Sequence, residues 1–107
     1  MSTVDFTGTV SEGTVLARDL VPAFMDVLAH YAPDAHYRIR SEIVKSAGVS
    51  YLVIDDDHEW WDSEDCGWIL NEDIWDAMNE IAPDGCYFGA HPGDGADYGF
   101  WQAEEDY

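Results

Sequence analysis

The chain has 107 residues, enough for one domain with its own core, and 47% hydrophobic with 14% aromatic residues sets it apart from disordered chains. Its 23 Asp and Glu against 4 Lys and Arg give a formal net charge of −19, which disfavours direct binding to DNA, RNA or an anionic membrane, where phosphates would meet carboxylates. Two cysteines are too few for a disulfide framework, and both read as small buried apolar residues.

The start, MSTVDFTGTV, has neither the basic nor the apolar stretch of a secretory signal, and no apolar run approaches the roughly 20 residues of a membrane span, so a cytoplasmic protein is expected. Within residues 1–13, Val4, Phe6 and Val10 among Thr, Ser and Gly suggest a short edge strand or loose arm. Leu20, Phe24, Val27, Leu28 and Tyr31 follow helical spacing over 19–31, with Asp19 as N-cap and Pro22 tolerated in the first turn. Residues 35–47 alternate like a strand at Tyr37, Ile39, Ser41 and Ile43. They also fit a helix closed by Gly48, which is the favoured reading.

Val49–Ile54 is short, apolar and rich in β-branched residues, and reads as a central strand whose end sets Asp55, Asp56 and Asp57 at the rim of a sheet. Residues 58–70 read as a loop or irregular helix in which tryptophans dock the acidic segment on the core. Asn71 is a credible cap for a helix over 72–82, with Ile74, Met78 and Ile81 inward and Glu72, Asp76 and Glu80 as an i, i+4 row outward. CYFGAH and DYGFW, separated by PGDGA, read as a hairpin pairing with the Val49–Ile54 strand, Gly93 and Gly95 supplying positive φ in the reversal and His91 making backbone hydrogen bonds in the turn. The whole is expected to be one α+β domain over 1–107. It would have a small antiparallel sheet of three to four strands, two or three helices on one face, and acids along the opposite side and rim.

The charge is lopsided. Through Lys45, six acids and four bases give −2; the 17 acids after Lys45 meet no base and give −17. Residues 55–80 alone hold eleven carboxylates and four tryptophans. Like charges this dense cost folding stability, a few tenths of a kcal/mol for each close pair on a helix, so the field reads as used rather than incidental. Evenly acidic composition, as in a salt-adapted protein, is the competing reading, and the skew counts against it.

Catalytic and metal-binding patterns are missing. Counted from Asp55, the positions where a calcium-binding helix-loop-helix requires Gly and Glu hold Trp60 and Cys66, and the single GDGAD copy cannot stack as a calcium-binding β-helix repeat does. His30, His36, His58, His91, Cys66 and Cys86 lack zinc-ligand spacing, and there is no nucleophile elbow, phosphate loop or dinucleotide fingerprint. Neither an enzyme nor a cofactor or metal site is expected.

The tail APDGCYFGAHPGDGADYGFW, with NEDIWDAMNE before it, resembles the ends of small acidic proteins from actinobacterial prophages and plasmids, over about the last 35 to 40 residues; that likeness implies no function. In size, charge and absence of catalytic motifs the chain is similar to phage-encoded DNA mimics, which include anti-CRISPR and anti-restriction proteins. The likeness implies an inhibitor acting in the cytoplasm of an infected or lysogenic bacterium on a basic nucleic-acid-binding protein, most concretely a CRISPR effector. An immunity or antitoxin protein against a cationic nuclease, an anti-restriction protein, and a cation-binding domain are the alternatives, and a homodimer would extend the array. The contact residues expected from the sequence are Asp55, Asp56, Asp57, Glu59, Asp62, Glu64, Asp65, Glu72, Asp73, Asp76 and Glu80, with Trp60 or Trp61 as an apolar anchor.

Overall fold

The computed structural model describes residues 3–91 and 93–102. Two helices joined by one residue and a third, irregular helix pack with a three-stranded antiparallel sheet, an α+β arrangement.

Helix α1 spans Ala17–Tyr31 and α2 spans Pro33–Ala47, with only Ala32 between them. In α1 the i, i+4 series Leu20, Phe24, Leu28, flanked by Val21 and Met25, is buried. Asp19 is not the cap. Leu16 holds that position, and Asp19 lies in the first turn, accepting a hydrogen bond from Thr14 Oγ1 at 2.7 Å, where its charge suits the helix dipole. Because the helix starts two residues earlier than expected, Pro22 lies beyond the first turn and denies the Arg18 carbonyl its intrahelical donor. The ambiguous 35–47 stretch is helical, with Ala35, Ile39 and Ile43 inward. Gly48 closes it at φ +85°, its N–H donating to the Val44 carbonyl at 2.8 Å, a conformation a side chain would strain.

Val49–Ile54 is not a strand. Its centre, Tyr51–Val53, is a 3₁₀ turn capped by Ser50, whose Oγ accepts from the Leu52 N–H at 3.3 Å. Tyr51 and Ile54, three residues apart, are buried, while Leu52 (72%) and Val53 (68%) are the most exposed large apolar residues described. β-propensity misleads here because only every third side chain reaches the core. The turn folds back on α2, Tyr51 Oη lying 3.4 Å from His36 Nε2. Burial and then the Arg40 charge hold the His36 imidazole below its usual pKa, against a smaller upward pull from Asp26. Since the folded-state value lies below the unfolded value of about 6.5, this contribution to stability is complete above that pH. It is lost as pH falls, because the unfolded chain then takes the proton first. His36→Gln is expected to shrink the stability difference between about pH 7.5 and pH 5.5, read by urea denaturation at both; an unaltered difference would clear His36 of the effect.

The third helix is built from α3 (Glu64–Trp68), a π-helical segment (Ile69–Ile74) and α4 (Trp75–Glu80). It starts eight residues before the expected 72–82 helix and ends at Glu80, with Ser63 rather than Asn71 as cap; Ser63 Oγ accepts from the Cys66 N–H at 3.1 Å. The π-helical segment accompanies an inward row one member longer than those of α1 (Leu20, Phe24, Leu28) and α2 (Ala35, Ile39, Ile43). Cys66, Leu70, Ile74 and Met78 are all buried and recur every four residues. At 3.6 residues per turn such a row would rotate by about 40° per repeat. Wider turns keep it on one face.

The sheet has the order β1-β3-β2, with β1 at Gly8–Ser11, β2 at Cys86–His91 and β3 at Asp94–Gln102. The hairpin and the N-terminal edge strand are as expected, but β1 rather than Val49–Ile54 pairs with β3. His91 takes the turn role, its Nδ1 accepting from the Gly93 N–H at 2.9 Å, but β3 begins at Asp94, inside the expected PGDGA loop, and neither Gly93 nor Gly95 has the expected positive φ. Phe88 and Phe100, directly opposite each other, face the helices, and Phe24, Phe88 and Trp75 form a mutually packed cluster, with ring distances of 4.9 Å for Phe24–Phe88, 4.9 Å for Phe88–Trp75 and 6.3 Å for Phe24–Trp75. Gly99 permits the close approach of β1: a Cβ there would lie 2.1 Å from the Gly8 carbonyl oxygen, whereas at Gly89 it would meet side chains alone, the Tyr87 ring at 3.2 Å and the Trp75 ring at 3.9 Å. Gly99→Ala should therefore free β1 from the sheet and lower Tm well beyond Gly89→Ala, by about 4–8 °C for each kcal/mol lost. Equal melting temperatures for the two variants would contradict the close approach.

Candidate interface: the acidic segment and the groove beside it

The acidic segment lies on the helical layer, not at the rim of the sheet. Residues 55–62 cross from the N-terminal turn of α1 to the C-terminal turn of α2, held by backbone and indole groups. The Asp55 carbonyl accepts from the His58 N–H at 3.0 Å and from Trp61 Nε1 at 2.8 Å, and the Asp56 carbonyl accepts from Arg18 Nη1 at 3.3 Å. His58 Nδ1 caps the 3₁₀ turn Glu59–Asp62 by accepting from the Trp60 N–H at 3.0 Å. Carbonyls and rings do the fastening, and the side-chain carboxylates of this segment point to solvent.

Of the expected contact residues, Asp55, Asp56, Asp57, Glu59, Asp62, Glu64, Asp65, Glu72, Asp76 and Glu80 are exposed. Among the described residues only Asp65 of these ten accepts a side-chain hydrogen bond, from Ser46 Oγ at 3.0 Å. Asp73 differs. It is half-buried and paired with Arg38 at 3.1 Å, the one ion pair among the described residues, which ties the third helix to α2. Arg40 lies over the Tyr37 ring at 5.5 Å and Arg18 reaches a carbonyl, so among the described residues neither forms an ion pair with the acidic segment. Exposure is not confined to 55–80, since Asp5, Glu12, Asp19, Asp26, Asp34 and Glu42 also face solvent. The later segment is distinguished by density and by lacking bases.

Trp60 and Trp61 are not surface anchors. They are 5% and 8% exposed, packed edge to face at 5.2 Å, and both indole N–H groups are satisfied within the protein. Adjacent side chains point opposite ways, leaving one for solvent, only in an extended segment, and this one is a 3₁₀ turn. The exposed tryptophan is Trp68, at 57%. The four-residue repeat offers the missed signal: Cys66, Leu70, Ile74 and Met78 define the inward face, and Trp68 falls between its rows.

A groove follows the seam between α2 and the 58–69 stretch. One end, about 240 Å³, is lined by Glu42, Lys45, Asp65, Trp68 and Ile69; the other, about 450 Å³, by Ala47, His58, Glu59, Trp60 and Ser63. Ser46 and Asp65 line both, and join them through a relay in which Trp60 Nε1 donates to Ser46 Oγ at 2.7 Å and that hydroxyl donates to Asp65 Oδ2. Among the described residues no three His, Cys, Asp or Glu side chains converge as metal ligands, and no helix is long and apolar enough to cross a membrane. Cys66 is buried and Cys86 half-buried, both free; burial first, then the nearby Asp62, pushes the Cys66 thiol up to about 11, so it stays protonated. Comparison with protein-family models, curated proteins and solved structures finds no match.

Proposed function

We propose that this chain is a DNA-mimic inhibitor, an acidic protein that occupies the basic nucleic-acid-binding groove of another protein and blocks access of its polynucleotide. One observation carries the reading: ten carboxylates of 55–80 stand exposed on a segment fastened by carbonyls and buried indoles. The charge is thereby rigidly displayed, as a stand-in for phosphates requires, and its mutual repulsion is held in place by tertiary packing. Glu72, Asp76 and Glu80 repeat every four residues, and the Asp76–Glu80 step within α4 corresponds to a rise of about 6 Å, a spacing of the same order as that of phosphates along a strand. The concrete target is a CRISPR effector, whose cations read duplex backbone near the recognition motif and line the heteroduplex channel.

The test is displacement. Purified, guide-loaded effectors of several types carrying a labelled target duplex would be titrated with the protein at about 0.05 and 0.3 M salt, a range over which polyanion binding weakens steeply. Release of the duplex at near-stoichiometric protein and low salt, weakening at high salt, is the expected result. Retention of the duplex throughout the series, with tight capture of a cationic nuclease instead, would replace this reading with an immunity protein using the same face.

A further inference from the structure

We infer that the Trp68 end of the groove receives an arginine side chain of the basic partner, its guanidinium stacked on the exposed indole; this rests on the reading of the acidic segment as a docking face for a cationic surface. Exposure singles the residue out. Of the five tryptophans, Trp60 and Trp61 are buried, Trp75 and Trp101 half-buried, and Trp68 is 57% exposed. It stands in a concavity, walled by Ile69 and facing α2 across Glu42 and Lys45. An indole in water leaves a large apolar and quadrupolar face unused, and aromatic residues of this kind dominate binding energy where a partner covers them.

Charge selects the occupant. The lining carboxylates Glu42 and Asp65 outnumber Lys45, and Glu64 and Glu72 lie four residues to either side of Trp68 along the third helix. An acidic side chain is therefore repelled, and a second copy of a chain at −19 brings more of the same sign. An aliphatic side chain would cover the ring but leave the carboxylates unanswered. A guanidinium satisfies both, because it is planar, weakly hydrated, stacks on aromatic faces, and presents N–H donors at its edge to carboxylates. Lysine serves less well, its compact ammonium holding water more tightly. The molecule already makes such a pair internally, Arg40 over Tyr37, and among the described residues no cation of the chain lies over Trp68. At about 240 Å³ this end of the groove is below the usual range for a small-molecule site and matches one inserted side chain.

The probes are nona-arginine and nona-lysine, peptides of equal charge, binding to the full chain followed by calorimetry at about 0.05 M salt, where surface charges are weakly screened. Wild type should bind nona-arginine more tightly. Trp68→Ala should weaken nona-arginine about tenfold, within the range for a cation on an aromatic face, and leave nona-lysine within about twofold. Trp68→Phe should retain most of the preference, since phenylalanine also offers a π-face. Equal affinity of wild type for the two peptides, or equal effects of Trp68→Ala on both, overturns the assignment. An unchanged melting temperature is expected for an exposed side chain and shows that the variant is folded. The displacement assay separates the two readings. If Trp68→Ala keeps the full potency of wild type in releasing duplex, the arginine site is wrong and the mimic stands. If the arginine preference holds but no duplex is ever released, the inhibitor reading fails and the groove stands.

Discussion

Phe24→Ala is expected to cost about 3–5 kcal/mol, a large part of the roughly 5–15 kcal/mol that holds a domain of this size together. Phe24 is fully buried and makes edge-to-face contacts with Phe88 at 4.9 Å, Tyr98 at 6.0 Å and Trp75 at 6.3 Å. It is thus the α1 side chain that packs on both the sheet and the third helix, whose Trp75 also meets Phe88 at 4.9 Å and Tyr98 at 5.8 Å directly. Removing it opens a cavity that the neighbouring rings cannot close without leaving their edge-to-face arrangement, which itself contributes about 0.5–1.5 kcal/mol per pair. The loss should appear in urea denaturation at about 0.15 M salt, where screening limits the self-repulsion of the chain. A cost of only about 1 kcal/mol, the usual size for a point substitution, would show that the direct Trp75–Phe88 and Trp75–Tyr98 contacts hold the layers together without it. A partly unfolded variant should also lose binding to any basic partner, because the display of carboxylates depends on the packing beneath it.

Where each apolar residue had one plausible partner face, the sequence was readable. The stripe Leu20, Phe24, Leu28 announces α1, Gly48 announces the end of α2, and the hairpin of residues 86–102 is marked by its two aromatic runs, CYFGAH and DYGFW, although not by the expected glycine turn. Failures came where a local preference competed with a tertiary one. Val49, Leu52, Val53 and Ile54 are good strand residues, yet the sheet takes β1 as its third strand and leaves Leu52 and Val53 in water. The helix of residues 64–80 reads as a shorter one because Asn71 offers a credible cap, whereas Ser63 is the cap and the helix runs through Asn71 in its π-helical segment. Starting the helical reading at Asn71 also hides Trp68, while Trp60 and Trp61 fail as anchors for a separate reason, their place in a buried 3₁₀ turn. For the acids the outcome was simpler: ionised carboxylates without partners stay in water whatever the backbone does, and Asp73, the exception within the segment, has Arg38 beside it.

That independence from backbone detail makes the second large effect predictable. Reversing Asp55, Asp56 and Asp57 together to lysine raises the formal charge from −19 by six units, while the hydrogen bonds of this stretch, made by the Asp55 and Asp56 carbonyls, are left in place. Folding should survive, with Tm unchanged or higher because repulsion with Glu59 and Asp62 is relieved. Binding to a basic groove should not survive. Three exposed contacts at up to about 1 kcal/mol each correspond to roughly 100-fold in affinity, and the new lysines add repulsion against the cations they now face. Much of the loss should lie in the association rate, since steering weakens with the local field. Charge neutralisation to asparagine at the same three positions should fall between, separating lost attraction from added repulsion. Should the lysine variant release duplex as well as wild type does, the triplet lies off the contact surface. The Glu72, Asp76 and Glu80 row on the third helix would then be the face that meets the groove.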